Sequence, residues 1–387
     1  MPRMSEKKTE RKKKGSTEGA LPSVDFNRRL VVFSVASLVL LGFLMVYTSS
    51  GPYAMKDYGF SYYFLLKQAT FGLVGILALI FAYQFSRHLN DRLVKIAFWF
   101  TCLLCLLVLI PGIGIKVGGA RRWLGIAGLR FQPSELVKLT MAIFTAYLLA
   151  KRDLGREKSP GGLLRVFAIG QIPILLVMME PDLGTAIVME AILALMLFVA
   201  GVRYRVLVLL VLGMMPVMYH LVMGTPFRLR RVLAFLDPWE YQSTSGYQIT
   251  QALTSIGSGG LWGVGLGEGK KQFGFLPEAH TDFIYAIVGE ELGFIGAAGM
   301  VVLYLIFSLF GFKLCVQATT PFARYLKLGA VGMIIVPAFV NIAVAIKVLP
   351  TTGLALPFVS AGGTSLIMNL MAVGLLLTAD EIGGGNS

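Results

Sequence analysis

Residues 30–50 read L-V-V-F-S-V-A-S-L-V-L-L-G-F-L-M-V-Y-T-S-S. A helix needs about 20 mostly apolar residues, rising 1.5 Å each, to cross the hydrocarbon of a bilayer, and this run supplies them. Working outward, further runs of the same kind lie near 63–83, 93–110, 131–150, 164–180, 183–200, 205–223, 282–310, 325–346 and 364–379. Composition agrees: of 387 residues 56% are hydrophobic and 14% charged, with mean hydropathy +0.73, so most of the chain cannot form a water-exposed globule. The sequence predicts an all-α integral membrane protein of about ten transmembrane helices, with a long extracytoplasmic loop between spans 7 and 8.

Orientation follows from the bases. Arg3, Lys7, Lys8, Arg11, Lys12, Lys13, Lys14, Arg28 and Arg29 precede the first run, which keeps that end cytoplasmic. Alternate loops then carry Arg87, Arg92 and Lys95, next Lys151, Arg152, Arg156 and Lys158, and next Arg203 and Arg205. Both termini are therefore expected in the cytoplasm. The predicted parts are a basic, disordered tail (1–29) lying on anionic lipid, a polytopic membrane domain (30–380) and a short cytoplasmic C-terminus (381–387). A cleaved signal peptide fits poorly, because the run from Leu30 exceeds an h-region of about 7–15 residues. The net charge of +14 does not point to nucleic acid, since no aromatics are interleaved with the tail bases and the rest is lipid-embedded. Cys102 and Cys105 lie inside an apolar run and the three histidines are far apart, so no zinc site is expected.

Two outside loops, near 111–130 and 224–281, are long and rich in Gly, Arg and aromatics, as functional loops often are. They hold bases that break the positive-inside pattern: Lys116, Arg121, Arg122 and Arg130, then Arg228, Arg230, Arg231, Lys270 and Lys271. Bases outside suggest an anionic ligand, although headgroup contact would explain any single one. Arg122 stands apart, since Trp123 follows it and Gly118, Gly119 and Ala120 give the backbone room to fold back.

F-Q-P-S-E-L-V-K opens the fourth run, with Gln132, Glu135 and Lys138 at three-residue steps. Glu135 and Lys138 can pair on a helix. An ion in hydrocarbon costs about 2.5–3.5 kcal/mol on insertion scales, so the pair should face the bundle interior or a wet cavity.

F-L-P-E-A-H-T-D-F-I at 275–284 places Glu278, His280 and Asp282 where a polar loop becomes apolar. Asp282, beside His280 and Thr281, could accept a proton from an incoming hydroxyl; its plainer role would be to cap the eighth helix. Counting at 100° per residue brings Gly289, Gly293 and Gly296 near the Asp282 face, with Glu290 and Glu291 about 12 Å deeper.

Several motifs occur in order: G-G-A-R-R-W-L-G at 118–125, F-Q-P-S-E-L-V-K at 131–138, E-P-D-L-G-T-A at 180–186, and G-Y-Q then I-G-S-G-G within 246–260. F-L-P-E-A-H-T-D-F-I at 275–284, G-E-E-L-G-F-I-G at 289–296 and L-P-T-T-G-L-A-L-P-F-V-S at 349–360 follow. The set resembles the shape, elongation, division and sporulation (SEDS) proteins, the group of FtsW and RodA, over residues 30–380. L-P-T-T-G-L and P-E-A-H look more like the FtsW branch.

That resemblance implies a peptidoglycan glycosyltransferase that polymerises lipid II at the outer face of the bacterial cytoplasmic membrane, for septal wall synthesis. It implies Asp282 as the catalytic base and undecaprenyl diphosphate as leaving group, with Arg122 and Lys138 stabilising its charge. Gln132, Glu135, Glu278, His280, Thr281, Ser360 and Ser365 are further expected substrate contacts. The implied partners are lipid II and undecaprenyl-linked glycan, a single-span class B penicillin-binding protein, and other division proteins. A divalent cation, Mg or Mn, is a candidate cofactor, although no carboxylate cage is visible in the sequence. Ala361 stands where the family's S-Y-G-G-S-S has tyrosine, and Lys347 puts a charge where a small or apolar residue is expected. A lipid II flippase and a division scaffold are the rival readings; Pro173, Pro181 and Pro216 would suit a transporter, but no inverted repeat is visible.

Overall fold

The computed structural model describes residues 23–117, 119–126, 129–153, 161–269 and 280–378. Expectations for residues 1–22 and 379–387 fall outside these.

Each of the ten apolar runs contains a helix. They are α1 (Val24–Tyr58), α2 (Tyr63–Phe85), α3 (Asp91–Leu109), α4 (Pro133–Asp153), α5 (Gly162–Met179), α6 (Leu183–Val199) and α7 (Tyr204–Met223), followed by two helices of the long loop, α8 (Pro226–Leu236) and α9 (Tyr247–Gly259). Then come α10 (Ile284–Glu291), α11 (Gly293–Val316), α12 (Pro321–Ala345) and α13 (Gly363–Leu376). Among the described residues six helices are long and apolar enough to cross a membrane: α1, α2, α3, α5, α11 and α12. The chain is a helical, multi-pass membrane protein.

Three expectations need correction. The first helix begins at Val24, within the segment assigned to the tail, because Ser23 accepts from the Phe26 amide at 3.3 Å and caps it. Arg28 and Asn27 thereby reach the ends of later helices, donating to the Thr378 carbonyl at 3.4 Å and the Gln317 side chain at 2.9 Å.

The second concerns the first outside loop, where the all-helical expectation named no strand: it is an antiparallel sheet of β1 (Gly114–Val117), β2 (Ala120–Ile126) and β3 (Leu129–Phe131) in the order β1-β2-β3. Ile115 pairs with Trp123 and Gly125 with Arg130. The chain folds back between Val117 and Ala120, where the glycine pair had suggested it.

The third is the eighth run, which is two helices rather than one. Gly293 sits at φ +66°, a conformation most residues avoid, and ends the continuity between α10 and α11. The amides of Phe294 and Ile295, which lack partners within α11, donate to the carbonyls of Gly260 (2.9 Å) and Leu261 (3.2 Å). Val264 and Gly265 in turn donate to the carbonyls of Glu290 (3.0 Å) and Glu291 (3.1 Å). The loop after α9 thus fills the break, and the glycine stripe counted from Asp282 does not run along one helix. Leu-Gly inside an apolar run is ordinary in spanning helices, so the sequence held no warning.

The core forms around α12, which packs on α4, α6, α11 and α13, while α1 lies along α11, α2 along α13 and α3 along α4. Phe98 of α3 stacks on Phe144 of α4 at 4.3 Å. By contrast, α7 packs chiefly on α6 and α8 and shows much of its apolar surface.

Candidate active site

Asp282 stands two residues before α10, whose N-cap position is Phe283. The capping alternative therefore does not describe its place. It lines a narrow pocket with Arg231 of α8, Gln248 of α9, Asn341 of α12 and the segment Thr351–Leu354. The space is about 10 Å³, room for roughly one water.

The wall behind Asp282 is fixed through its backbone. Asn341 donates its amide to the Asp282 carbonyl at 2.8 Å and to the Leu354 carbonyl at 2.6 Å. Ser360 donates its hydroxyl to the Thr281 carbonyl and accepts from the Leu356 amide at 2.8 Å, and the Ala361 amide donates to the His280 carbonyl at 2.9 Å. The H-T-D turn is thus sewn to the P-T-T-G-L-A-L-P-F-V-S-A segment. Such bonds contribute about 1 kcal/mol each, and more is lost when a buried partner is stranded. Gly353, at φ +78°, lets that segment turn beside the carboxylate: a side chain there would begin 3.5 Å from Asp282 Oδ2.

Arg231 donates to the Thr351 carbonyl at 3.1 Å. Burial lowers its pKa, the charge of Asp282 raises it and that of Arg122 lowers it. Arg122 is held by the turn between α5 and α6, donating to the Glu180 carbonyl at 3.2 Å and to the Pro181 carbonyl, with Asp182 Oδ2 3.8 Å away. Gln132 reaches the same Asp182 oxygen at 3.5 Å. Two residues on, a side chain at Gly184 would meet the Thr352 carbonyl at 2.9 Å, so this turn abuts the segment facing Asp282.

Glu135 and Lys138 pair as expected, at 3.1 and 3.0 Å to the two carboxylate oxygens, and both are buried. They satisfy each other inside the bundle and do not line the Asp282 pocket. Lys138 thus pairs with Glu135 away from the residues that line the Asp282 pocket.

The other expected contacts fall into two groups. His280 lies on Phe64 and Tyr53, with ring centroids 5.1 and 6.3 Å apart, while Thr281 and Ser360 are joined by the bond described above. Ser360 is buried and its hydroxyl already donates and accepts, so it positions the turn. Ser365 accepts from Asn369 at 3.3 Å on α13. Glu278 lies outside the described residues.

The sequence reading missed Asn341 and Gln248, polar residues in otherwise apolar or neutral company, and did not single out Arg231 from its basic neighbours. It also passed over Asp182, although E-P-D was among its motifs. Among the described residues no three His, Cys, Asp or Glu gather as metal ligands, and Arg231 lines the pocket along with Asp282. The described lining of this pocket, with Asp282 as its one carboxylate, does not by itself fit a resident Mg or Mn ion.

The sequence profile of the family described as cell cycle protein (FtsW, RodA and SpoVE) matches residues 28–382. A relative from Geobacter metallireducens called probable peptidoglycan glycosyltransferase FtsW is 41% identical over 349 residues, covering 90% of this chain and 93% of its own. Stage V sporulation protein E of Bacillus subtilis is 37% identical over 356 residues, covering 91% and 96%. Among solved structures, a chain from work on coordinated polymerization and crosslinking by a peptidoglycan synthase complex superposes with TM-score 0.74 at 29% identity, covering 92% of this chain and 98% of that one. Rod shape determining protein RodA of Thermus thermophilus gives 0.63 at 28%, covering 90% and 94%.

Proposed function

The chain belongs to the FtsW, RodA and SpoVE family, and from that premise we propose that it is a peptidoglycan glycosyltransferase that polymerises lipid II at the outer face of the cytoplasmic membrane during septal wall synthesis. The observation that carries this reading is the placement of Asp282: a carboxylate just before a helix, with its backbone held by Asn341 and Arg231 beside it in one pocket.

In this reading Asp282 takes the proton from the acceptor sugar's 4-hydroxyl. The oxygen forms a bond to the anomeric carbon of the lipid-linked donor, the bond from that carbon to the diphosphate oxygen breaks, and the electron pair leaves on undecaprenyl diphosphate. Arg122 supports the reading by bringing a cation from the first outside loop to the region of the pocket. Lys138 serves in it as the buried partner of Glu135. Both termini lie in the cytoplasm and the pocket faces outward, in keeping with the basic residues of the tail and inner loops. The partner is a single-span class B penicillin-binding protein within the division machinery, a reading supported by the likeness to a chain of a peptidoglycan synthase complex.

The test is glycan formation from labelled lipid II by the purified protein with its transpeptidase, comparing wild type with Asp282→Asn. Polymer from wild type alone supports the reading. Polymer from both removes Asp282 from the chemistry, and transport of lipid II without polymer would favour a flippase.

A further inference from the structure

The Asp282 pocket has room for roughly one water, so the sugars of a strand must lie against surfaces outside it. One such surface is the outer corner between α1 and α2. Its chain, K-D-Y-G-F-S-Y-Y-F at 56–64, turns at Gly59, which caps α1 at φ +80°. The turn brings five rings together: Tyr58 stacks on Tyr63 with centroids 3.8 Å apart and planes at 7°, Phe60 lies 5.0 Å from Tyr62, and Tyr63 meets Phe64 at 5.2 Å. Tyr58, Phe60 and Tyr62 are nonetheless 46%, 37% and 51% exposed.

This corner is fastened to the turn that bears Asp282. Phe64, in the first turn of α2, packs on the His280 ring at 5.1 Å. One helical turn further on, Gln68 donates to the Ser360 carbonyl at 3.1 Å and accepts from the Gly362 amide at 3.4 Å. Two residues of chain, at most about 7 Å, lead from His280 to Asp282, so the corner adjoins the carboxylate's turn. Membrane anchoring is the plainer reading of exposed tyrosines, which gather at the headgroup level. The apolar span of α1 ends at Gly51, however, and the residues on to Tyr58 add about 10 Å to an upright helix, more than the roughly 5–7 Å of a headgroup layer. Lys56 and Asp57, both exposed, precede the rings. The corner stands clear of the lipid.

We propose, resting on the glycosyltransferase reading, that this corner is a binding platform for the growing glycan: Tyr58, Phe60 and Tyr62 take the faces of successive sugar rings, and the strand leaves the pocket across them. A pyranose of an amino-sugar strand carries its hydroxyl and amide groups around its edge and bare C–H bonds on its faces. An exposed aromatic ring, apolar on its face and, in tyrosine, polar at its tip, matches that division. Lys56, Asp57 and Ser61 stand beside the rings for the polar edge. A protein partner would be the other occupant of such a patch. Continuity with the turn bearing the base favours the strand, since polymer must pass that turn and a partner need not. A strand held in this way stays engaged between additions, so the platform lengthens the polymer made before release.

The experiment uses the full chain in nanodiscs. Equilibrium binding of a lipid-free, peptide-free glycan oligosaccharide is measured for wild type, Tyr62→Ala, Tyr62→Phe and the double variant Tyr58→Ala with Tyr62→Ala. The length of polymer made from lipid II is read on the same preparations with the transpeptidase added. Tyr219→Ala on α7, an exposed aromatic far along the chain, is the control. The double variant should lose about tenfold in oligosaccharide affinity and release shorter strands. Tyr62→Ala should move the same way by several-fold, while Tyr62→Phe, which keeps the ring, and Tyr219→Ala should match wild type. Because Tyr58 packs on Tyr63, a poorly folding double variant leaves Tyr62→Ala to decide. No binding by wild type, or unchanged affinity in Tyr62→Ala, overturns the platform. Loss of transpeptidase binding with oligosaccharide affinity intact overturns it too and makes the corner a protein contact. Oligosaccharide binding needs no turnover, so the two readings fail separately: ring-dependent binding by a wild type that makes no polymer sinks the enzymatic reading and keeps the glycan surface, whereas polymer made with ring-independent binding sinks the platform alone.

Discussion

The amide of Asn341 on α12 spans two strands of backbone at once, donating to the carbonyl of Asp282 at 2.8 Å and to that of Leu354 at 2.6 Å. Through this one side chain the turn bearing the carboxylate and the segment bearing Gly353 keep a fixed spacing. Both carbonyls are satisfied by the one amide.

Asn341→Leu fills a similar volume but strands both carbonyls. We expect about 1–3 kcal/mol of destabilisation and a larger fractional loss of lipid II polymerisation than of stability. Thermal melting in detergent and a polymerisation assay on the same preparation decide the point; full activity at lowered stability would show that Asn341 is only scaffolding.

Asp282→Asn should remove about 100-fold or more of the polymerisation rate, the scale of general-base catalysis. The loss of rate should far exceed any loss of melting temperature, because Phe283, not Asp282, occupies the N-cap position of α10. A large fall in stability instead would return Asp282 to a structural role.

Glu135 and Lys138 form a buried pair at 3.0 Å. Breaking it from one side, as in Lys138→Met, leaves an uncompensated charge and should cost about 3–5 kcal/mol, whereas the double change Glu135→Gln with Lys138→Met should recover much of that. Recovery of fold without recovery of polymer formation would assign the pair a part in substrate handling.

Lys347, whose charge departs from what the motif suggested, follows α12 at φ +60°, with its amide bonded to the Val344 carbonyl at 3.1 Å. This is the left-handed position after a helix where glycine is favoured. Lys347→Gly should therefore stabilise the protein by about 0.5–1 kcal/mol; a lower melting temperature would mean that the lysine side chain makes up for its backbone strain.

The helices were legible because apolar length is a local property: residues 30–50 or 325–346 need no knowledge of the rest of the chain to be recognised as membrane material. The Glu135–Lys138 pair was legible for the same reason, three residues being one turn of helix. Asp282 could be picked out as a carboxylate at the edge of an apolar run. What surrounds it could not, because Arg231 is a base among bases in its loop and Asn341 lies 59 residues from the carbonyl it holds.

By itself, then, the sequence determined that this chain is a helical membrane protein, roughly where its spans begin, and that Asp282 is a carboxylate at the edge of an apolar run. Only the tertiary structure decided that the eighth run is broken at Gly293, that the loop after α9 fills the break, and that Arg231, Asn341 and the Thr351–Leu354 segment enclose the carboxylate. The reason is physical: helix formation under a hydrophobic demand is settled within a few turns. Which distant amide satisfies which carbonyl, and which guanidinium meets which carboxylate, is settled only when the helices pack.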